Sequence, residues 1–346
     1  MENQMKGICL NEDRTLQLKN FPVSPPTQGF VRVKIKRSGI CASDLGYIKY
    51  GAKRLELPVI LGHEGCGIID EIGQGVKGFE KGERVVVMTT YELCGKCRYC
   101  KMGATNLCIK RKGIGSKVNG MFADYVTAPS SSLIKMRDHV TYEEACMTEL
   151  TACAVHGIVE TAKVRANDWC LISGPGPVGL ITALVAKAYG ARVILAGLSA
   201  DEKRLKKAKE LGIDITVDIS KENLEDIVYG KTEGYGVDIS VECSGNYKSM
   251  KTCIELTAGR GKFLQMGIMH EIGSIDMWLV LHKELKIYSS LSQVPQSWKT
   301  AADLIAEKKV DVKALISKTY GLNDYKEAFE AAASGQNLKI LFDPEI

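Results

Sequence analysis

Two textures of hydrophobic and polar positions divide the chain. Up to about Val126 the apolar residues come in short runs (31–36, 66–72, 84–88 and 122–126). These are rich in β-branched or aromatic side chains and separated by Gly, Pro or charged turns. Such runs predict short strands carrying loops. From Trp169 the pattern alternates. Buried-strand runs at 169–173, 192–195, 215–217, 237–241 and 262–265 are interleaved with helical stretches at 178–189, 202–211 and 247–256. That order predicts a parallel, doubly wound sheet. Past Ser290 the pattern loosens, with helices expected at 298–308 and 325–333. A last strand at 339–342 is placed to return to the first domain. There are no internal repeats and no low-complexity linker.

A chain of 346 residues exceeds one ordinary core, so two domains are expected. The 46 basic and 41 acidic residues are interspersed, giving a net charge of only +5, which argues against a nucleic-acid or membrane-surface partner. No basic stretch followed by an apolar core opens the sequence, so no secretory signal is expected. The apolar window 170–189 is broken by Gly174-Pro175-Gly176-Pro177 and carries Lys187, and reads as strand–loop–helix, not a membrane span. Twelve cysteines without an export signal point to reduced thiols, metal ligation and a cytoplasmic location.

Cys94, Cys97, Cys100 and Cys108 stand in a C-x2-C-x2-C-x7-C pattern. Four thiolates on one loop can close a tetrahedral shell round Zn²⁺, which leaves no position for substrate and so predicts a structural site. After the strand at 169–173, Gly174-Pro175-Gly176-Pro177-Val178-Gly179 is G-x-G-x-x-G opening a helix. The first Gly permits the turn, the second lets backbone approach a pyrophosphate, and the third lets helix pack on strand. The helix N-terminus supplies free N–H groups for phosphate. The next strand runs into Gly197-Leu198-Ser199 with no acid where an NAD site usually places one, and Lys203 and Arg204 follow. NADP is therefore slightly preferred over NAD, unless Asp201 bends back to the ribose or the two cations belong only to a solvated helix face. Cys243, Met266 and Ser290 are further cofactor-contact candidates. Cys41-Ala-Ser43-Asp44 and Gly62-His63-Glu64 supply a second, mixed set of donors, and three protein ligands with one open position describe a catalytic zinc.

Taken in order with Glu149, these motifs resemble the zinc-containing medium-chain alcohol and polyol dehydrogenases, sorbitol-dehydrogenase-like members above all, over essentially the whole chain. The resemblance implies an α/β fold. A GroES-like, β-rich catalytic domain is expected at 1–150, completed by 291–346, with a Rossmann dinucleotide-binding domain at 151–290. It implies two zinc ions per chain. Cys41 and His63 would be catalytic-zinc ligands, and Glu64 would ligate the metal or move on and off it. Glu149 would bind directly or through water, although Leu150 stands where many relatives have proline. Ser43 would relay the alcohol proton, Tyr47 would lie near the substrate, and Asp44 would support the loop. Gly46 stands where threonine dehydrogenases carry histidine. The expected reaction moves a hydride between the CH–OH of an alcohol, polyol or sugar derivative and NAD(P), in a homodimer or homotetramer. A simple secondary-alcohol or amino-alcohol dehydrogenase is the alternative enzyme. A zinc-ribbon nucleic-acid-binding protein is the alternative from another class, opposed by the weak charge and the lack of aromatic–basic interleaving.

Overall fold

The computed structural model describes residues 4–51 and 55–346. They form two compact units, one of residues 4–51, 55–149, 294–307 and 312–346, the other of 150–293 and 308–311.

The first unit is built on a seven-stranded sheet. Its path runs Leu133–Lys135, Arg84–Val87, Glu64–Ile72, Phe30–Gly39, Lys339–Asp343, Ile316–Gly321, and Tyr125–Pro129 also pairs with Phe30–Gly39. Val31, Val33 and Ile35 alternate into one core with Val85, Val87 and Met121, as a period of two demands of a half-buried strand. Two consequences of the register matter for the site. Phe30–Gly39 and Glu64–Ile72 are antiparallel with Gly39 opposite Glu64, so the residues just past one strand meet the residues that open the other. Lys339–Asp343 joins the same strand with Leu341 opposite Gly39, which carries the end of the chain to that spot. The short helix Ala42–Tyr50 starts directly after Cys41, and Asp44 caps it by accepting from the Cys41 N–H at 2.9 Å.

The second unit holds a six-stranded, wholly parallel sheet. The strands lie in the order Ile215–Asp218, Arg192–Gly197, Trp169–Ser173, Val237–Glu242, Thr257–Gln265, Lys286–Ser289. Chain order reverses between Trp169–Ser173 and Val237–Glu242, the switch point where such sheets open a crevice. Helices Pro177–Ala188, Glu202–Glu210, Leu224–Lys231 and Tyr247–Leu256 connect the strands. Pro177 begins the first of them, where its missing N–H leaves no intrahelical bond unmade.

Candidate metal centres and dinucleotide crevice

Cys41, His63 and Glu64 each offer a ligand atom, and these atoms lie within 4.8 Å of one another. The Ser43 hydroxyl is 3.5 Å from His63 Nε2, and Asp44 Oδ1 is 3.3 Å from His63 Nδ1. Asp44 thus orients the imidazole from behind, as outer partners of metal-binding histidines do. Burial works to depress the His63 pKa, but the facing Asp44 carboxylate and the Cys41 sulfur outweigh it and hold it well above the usual histidine value.

Glu64 is completely buried, and its Oε1 has no hydrogen-bond partner. Its Oε2 is ion-paired with the Nζ of Lys339, itself only 2% exposed, which also donates to the Ile40 carbonyl at 3.0 Å. Burial acts to lower the Lys339 pKa, but the Glu64 charge dominates and raises it. Gly39 makes this pair possible, because a Cβ there would stand 2.9 Å from Lys339 Cε and overlap the Glu64 carboxylate. A soft sulfur, an imidazole nitrogen and a buried carboxylate oxygen left without a donor make a set that fits Zn²⁺. Lys339 escaped the sequence reading because nothing local distinguishes it from a surface lysine; the one available signal was its position at the start of an otherwise apolar strand.

Glu149 lies in helix Thr148–Ala154, buried, and its carboxylate is not among the three clustered donors. Leu150 falls in the first turn of that helix, where a proline would also be tolerated, so this departure from the relatives leaves the helix unchanged. Tyr47 is buried in the core cluster with Ile40, Leu61, Phe122 and Phe342, so its ring is packed among apolar side chains.

The four-cysteine loop is assembled as a second group. Cys94–Cys100, Cys97–Cys100 and Cys94–Cys108 sulfurs are 4.0, 3.6 and 3.6 Å apart. A tetrahedron of Zn–S bonds of about 2.3 Å has edges of about 3.8 Å. Backbone N–H groups of Cys94 and Cys97 point at the Cys108 and Cys94 sulfurs, both at 3.4 Å. Backbone hydrogen bonds, the Cys100 N–H first, bring the Cys97 pKa down to about 6, which favours the thiolate a metal requires.

In the second unit the cofactor candidates gather at the carboxyl ends of the parallel strands. Gly174 follows Trp169–Ser173 with φ of 100°, a conformation few other residues tolerate. Gly176 has open space where a Cβ would stand and leads into the N-terminus of Pro177–Ala188, as phosphate approach requires. Val178 and Gly179 lie in that first turn. Gly197 ends Arg192–Gly197, while Cys243, Met266 and Ser290 follow the three later strands. Cys243 is half-buried, and burial of its thiol pushes its pKa well up. Gly197 has no room for the missing acid, since a Cβ would stand 2.6 Å from Pro175 Cγ. Ser199 donates to Asp218 at 2.7 Å, and Arg204 is already paired with Asp201 at 3.2 Å. Lys203 lies beside Arg204 in the first turn of Glu202–Glu210.

Comparison with known proteins agrees with this construction. Residues 27–138 match the alcohol dehydrogenase GroES-like domain, and residues 177–307 match the zinc-binding dehydrogenase family. A sorbitol dehydrogenase of Halalkalibacterium halodurans is 40% identical over 343 residues, covering 98% of this chain and 99% of the relative. A D-arabitol-phosphate dehydrogenase of Enterococcus avium is 36% identical over 346 residues, covering 99% and 98%. A solved structure from Sinorhizobium meliloti, described as a zinc-binding dehydrogenase bound to NADP, superposes with a TM-score of 0.93 at 28% identity, covering 99% of this chain and all of that one. The chain therefore belongs to the zinc-containing medium-chain alcohol and polyol dehydrogenases. It is a polyol or alcohol oxidoreductase that joins a GroES-like domain to a Rossmann domain.

Proposed function

We propose that this enzyme oxidises a secondary hydroxyl of a polyol or polyol derivative, with one catalytic and one structural zinc per chain. It would use NAD(P), with a slight preference for NADP. The observation that carries the reading is the three-donor cluster of Cys41, His63 and Glu64 with the Ser43 hydroxyl 3.5 Å from His63 Nε2. Residues 1–150 with 291–346 are assigned the metal chemistry and residues 151–290 the dinucleotide.

When bound, zinc supplies Lewis acidity to the substrate oxygen and the dinucleotide supplies the hydride acceptor. The chain's own residues do the rest. Ser43 accepts the substrate hydroxyl proton and passes it on. Asp44 fixes the His63 ring, and Lys339 holds the Glu64 carboxylate at the edge of the cluster. Gly174 and Gly176 open backbone toward the pyrophosphate. The missing acid at Gly197 is the support for NADP, and Lys203 with Arg204 supplies positive charge nearby. The Arg204–Asp201 pair keeps that preference small.

We also assign it to the cytoplasm, on its twelve free cysteines, as a homodimer or homotetramer. No described helix is long and apolar enough to cross a membrane. Helix Met277–His282 presents Met277, Trp278 and Leu281 at 62, 70 and 69% exposure, an apolar patch suited to a second copy. Light scattering on purified protein tests the assembly. For the activity, polyols, polyol phosphates, simple alcohols and threonine are each assayed with both cofactors by following reduced-cofactor absorbance. Turnover of a polyol or its phosphate above the other classes is expected, and preference for threonine or a simple alcohol would displace the reading.

A further inference from the structure

Glu242 ends the strand Val237–Glu242, is completely buried and has no role in the chemistry described above. Its carboxylate gathers donors from the loop that follows, from the end of the neighbouring strand and from helix Tyr247–Leu256. Oε1 accepts from the Ser244 N–H at 2.7 Å and from the Ser244 hydroxyl. Oε2 accepts from the Gly245 N–H at 3.0 Å and from Gln265 Nε2 at 2.7 Å. The Ser249 hydroxyl lies between Glu242 Oε1, at 3.1 Å, and Ser173 Oγ, at 2.7 Å, which links the group to a third strand. The Glu242 carbonyl accepts from Met266 and Gly267 at 2.9 and 2.8 Å.

These contacts tie together the turns that follow three adjacent strands, those ending at Ser173, Glu242 and Gln265. The switch point lies between the first two of them. Ser244 also abuts the glycine turn, since a Cβ on Gly174 would stand 2.9 Å from the Ser244 nitrogen and Cβ. In a doubly wound sheet the dinucleotide lies across the switch point. Its adenosine half belongs over the strands ending at Ser173, Gly197 and Asp218, and its nicotinamide half over those ending at Glu242, Gln265 and Ser289.

We infer that Glu242 is a positioning residue for the nicotinamide half of the crevice, its carboxylate acting by holding Ser244, Gly245 and Gln265 in place, the last of which also donates to the Gly267 carbonyl at 2.8 Å. Only an acceptor-only side chain suits the position, because every partner of its two oxygens is a donor. Glutamine would turn an NH₂ group toward N–H groups. This inference rests on the dinucleotide reading above.

The test compares Glu242→Gln with wild type in the zinc-loaded full chain, measuring Kd by titration calorimetry for NADH, NADPH and AMP. Loss of roughly tenfold or more for both dinucleotides is expected from one disrupted charged hydrogen-bond set, with AMP affinity held within about twofold. A fall in AMP affinity equal to that for NADH would mean general damage and overturn the inference, as would unchanged NADH affinity. If Glu242→Gln does not fold, Gln265→Leu, which removes one donor, decides by the same split between NADH and AMP. A wild type that binds neither dinucleotide would bring down the dinucleotide reading, and this inference with it.

Discussion

Lys339→Met is the most informative single change. Lys339 is 2% exposed and Glu64 0%, and the two are in direct ionic contact behind the Cys41–His63–Glu64 cluster. Methionine keeps most of the volume and removes the charge, so Glu64 is left as a buried carboxylate whose Oε1 already has no hydrogen-bond partner. Breaking a buried pair from one side costs about 3–5 kcal/mol, more than any packing loss expected from this substitution. For a unit of this size that corresponds to a fall in Tm on the order of 10 °C. The measurement is thermal unfolding of chelator-treated protein, then again after zinc is restored. A cation at the cluster offers Glu64 a second partner, so zinc should recover more stability in the variant than in wild type. The double variant Lys339→Met with Glu64→Gln should be markedly more stable than Lys339→Met alone, because it removes the stranded charge. A loss below about 1 kcal/mol in the metal-depleted single variant, the range of an exposed pair, would refute the reasoning. So would a double variant no better than the single.

Metal analysis of fresh protein should find two zinc ions per chain, and brief chelation should remove about one with all activity, because a closed thiolate shell exchanges slowly; one zinc in fully active protein would contradict the two-site assignment. Ser43→Ala should slow turnover by very roughly ten- to a thousandfold while leaving zinc content and cofactor affinity unchanged. Arg204→Ala should raise the KM for NADP more than that for NAD, and equal effects on both would assign Lys203 and Arg204 to a solvated helix face. Glu345 bridges Lys34 and Lys36, whose hydrogen bonds hold its pKa down at about 2. A depressed carboxylate pKa adds stability above the ordinary glutamate range that is lost as pH falls through about 2. Glu345→Gln should therefore lower stability at pH 7, by less than about 1 kcal/mol since the pair is solvent-screened, and the difference should fade between pH 4.5 and 2; a deficit that persists in acid would point to packing instead.

Much of this protein was legible because its chemistry is written in short, chain-local spacing. The C-x2-C-x2-C-x7-C loop and the G-x-G-x-x-G turn each sit on one contiguous segment. There backbone geometry alone brings sulfur near sulfur and aims helix N–H groups at a phosphate. The alternation from Trp169 specified a parallel sheet, since buried strands and amphipathic helices have different periods. The observed helices Tyr247–Leu256 and Tyr325–Ala333 agree residue for residue with the periodic stretches. The shorter helices Leu224–Lys231 and Met277–His282 escaped because few turns leave little periodic signal, while Ala42–Tyr50, as long as Tyr325–Ala333, escaped because its apolar residues do not gather on one face.

What only the tertiary structure decided depends on register between distant segments. That Gly39 faces Glu64, that the last strand returns beside Gly39, and that Lys339 therefore meets Glu64 in a dry interior are properties of strand pairing, which no local pattern encodes. Tyr47 and Glu242 teach the same point. The resemblance puts Tyr47 near the substrate, and only the fold shows that its ring is also buried in a core cluster. Glu242, unremarked in the sequence, gathers donors from the ends of neighbouring strands. Whether a lysine, a tyrosine or a glutamate is solvated or buried and paired is settled by what the fold places around it, because burial and partnership are energies of the folded neighbourhood and not of the residue.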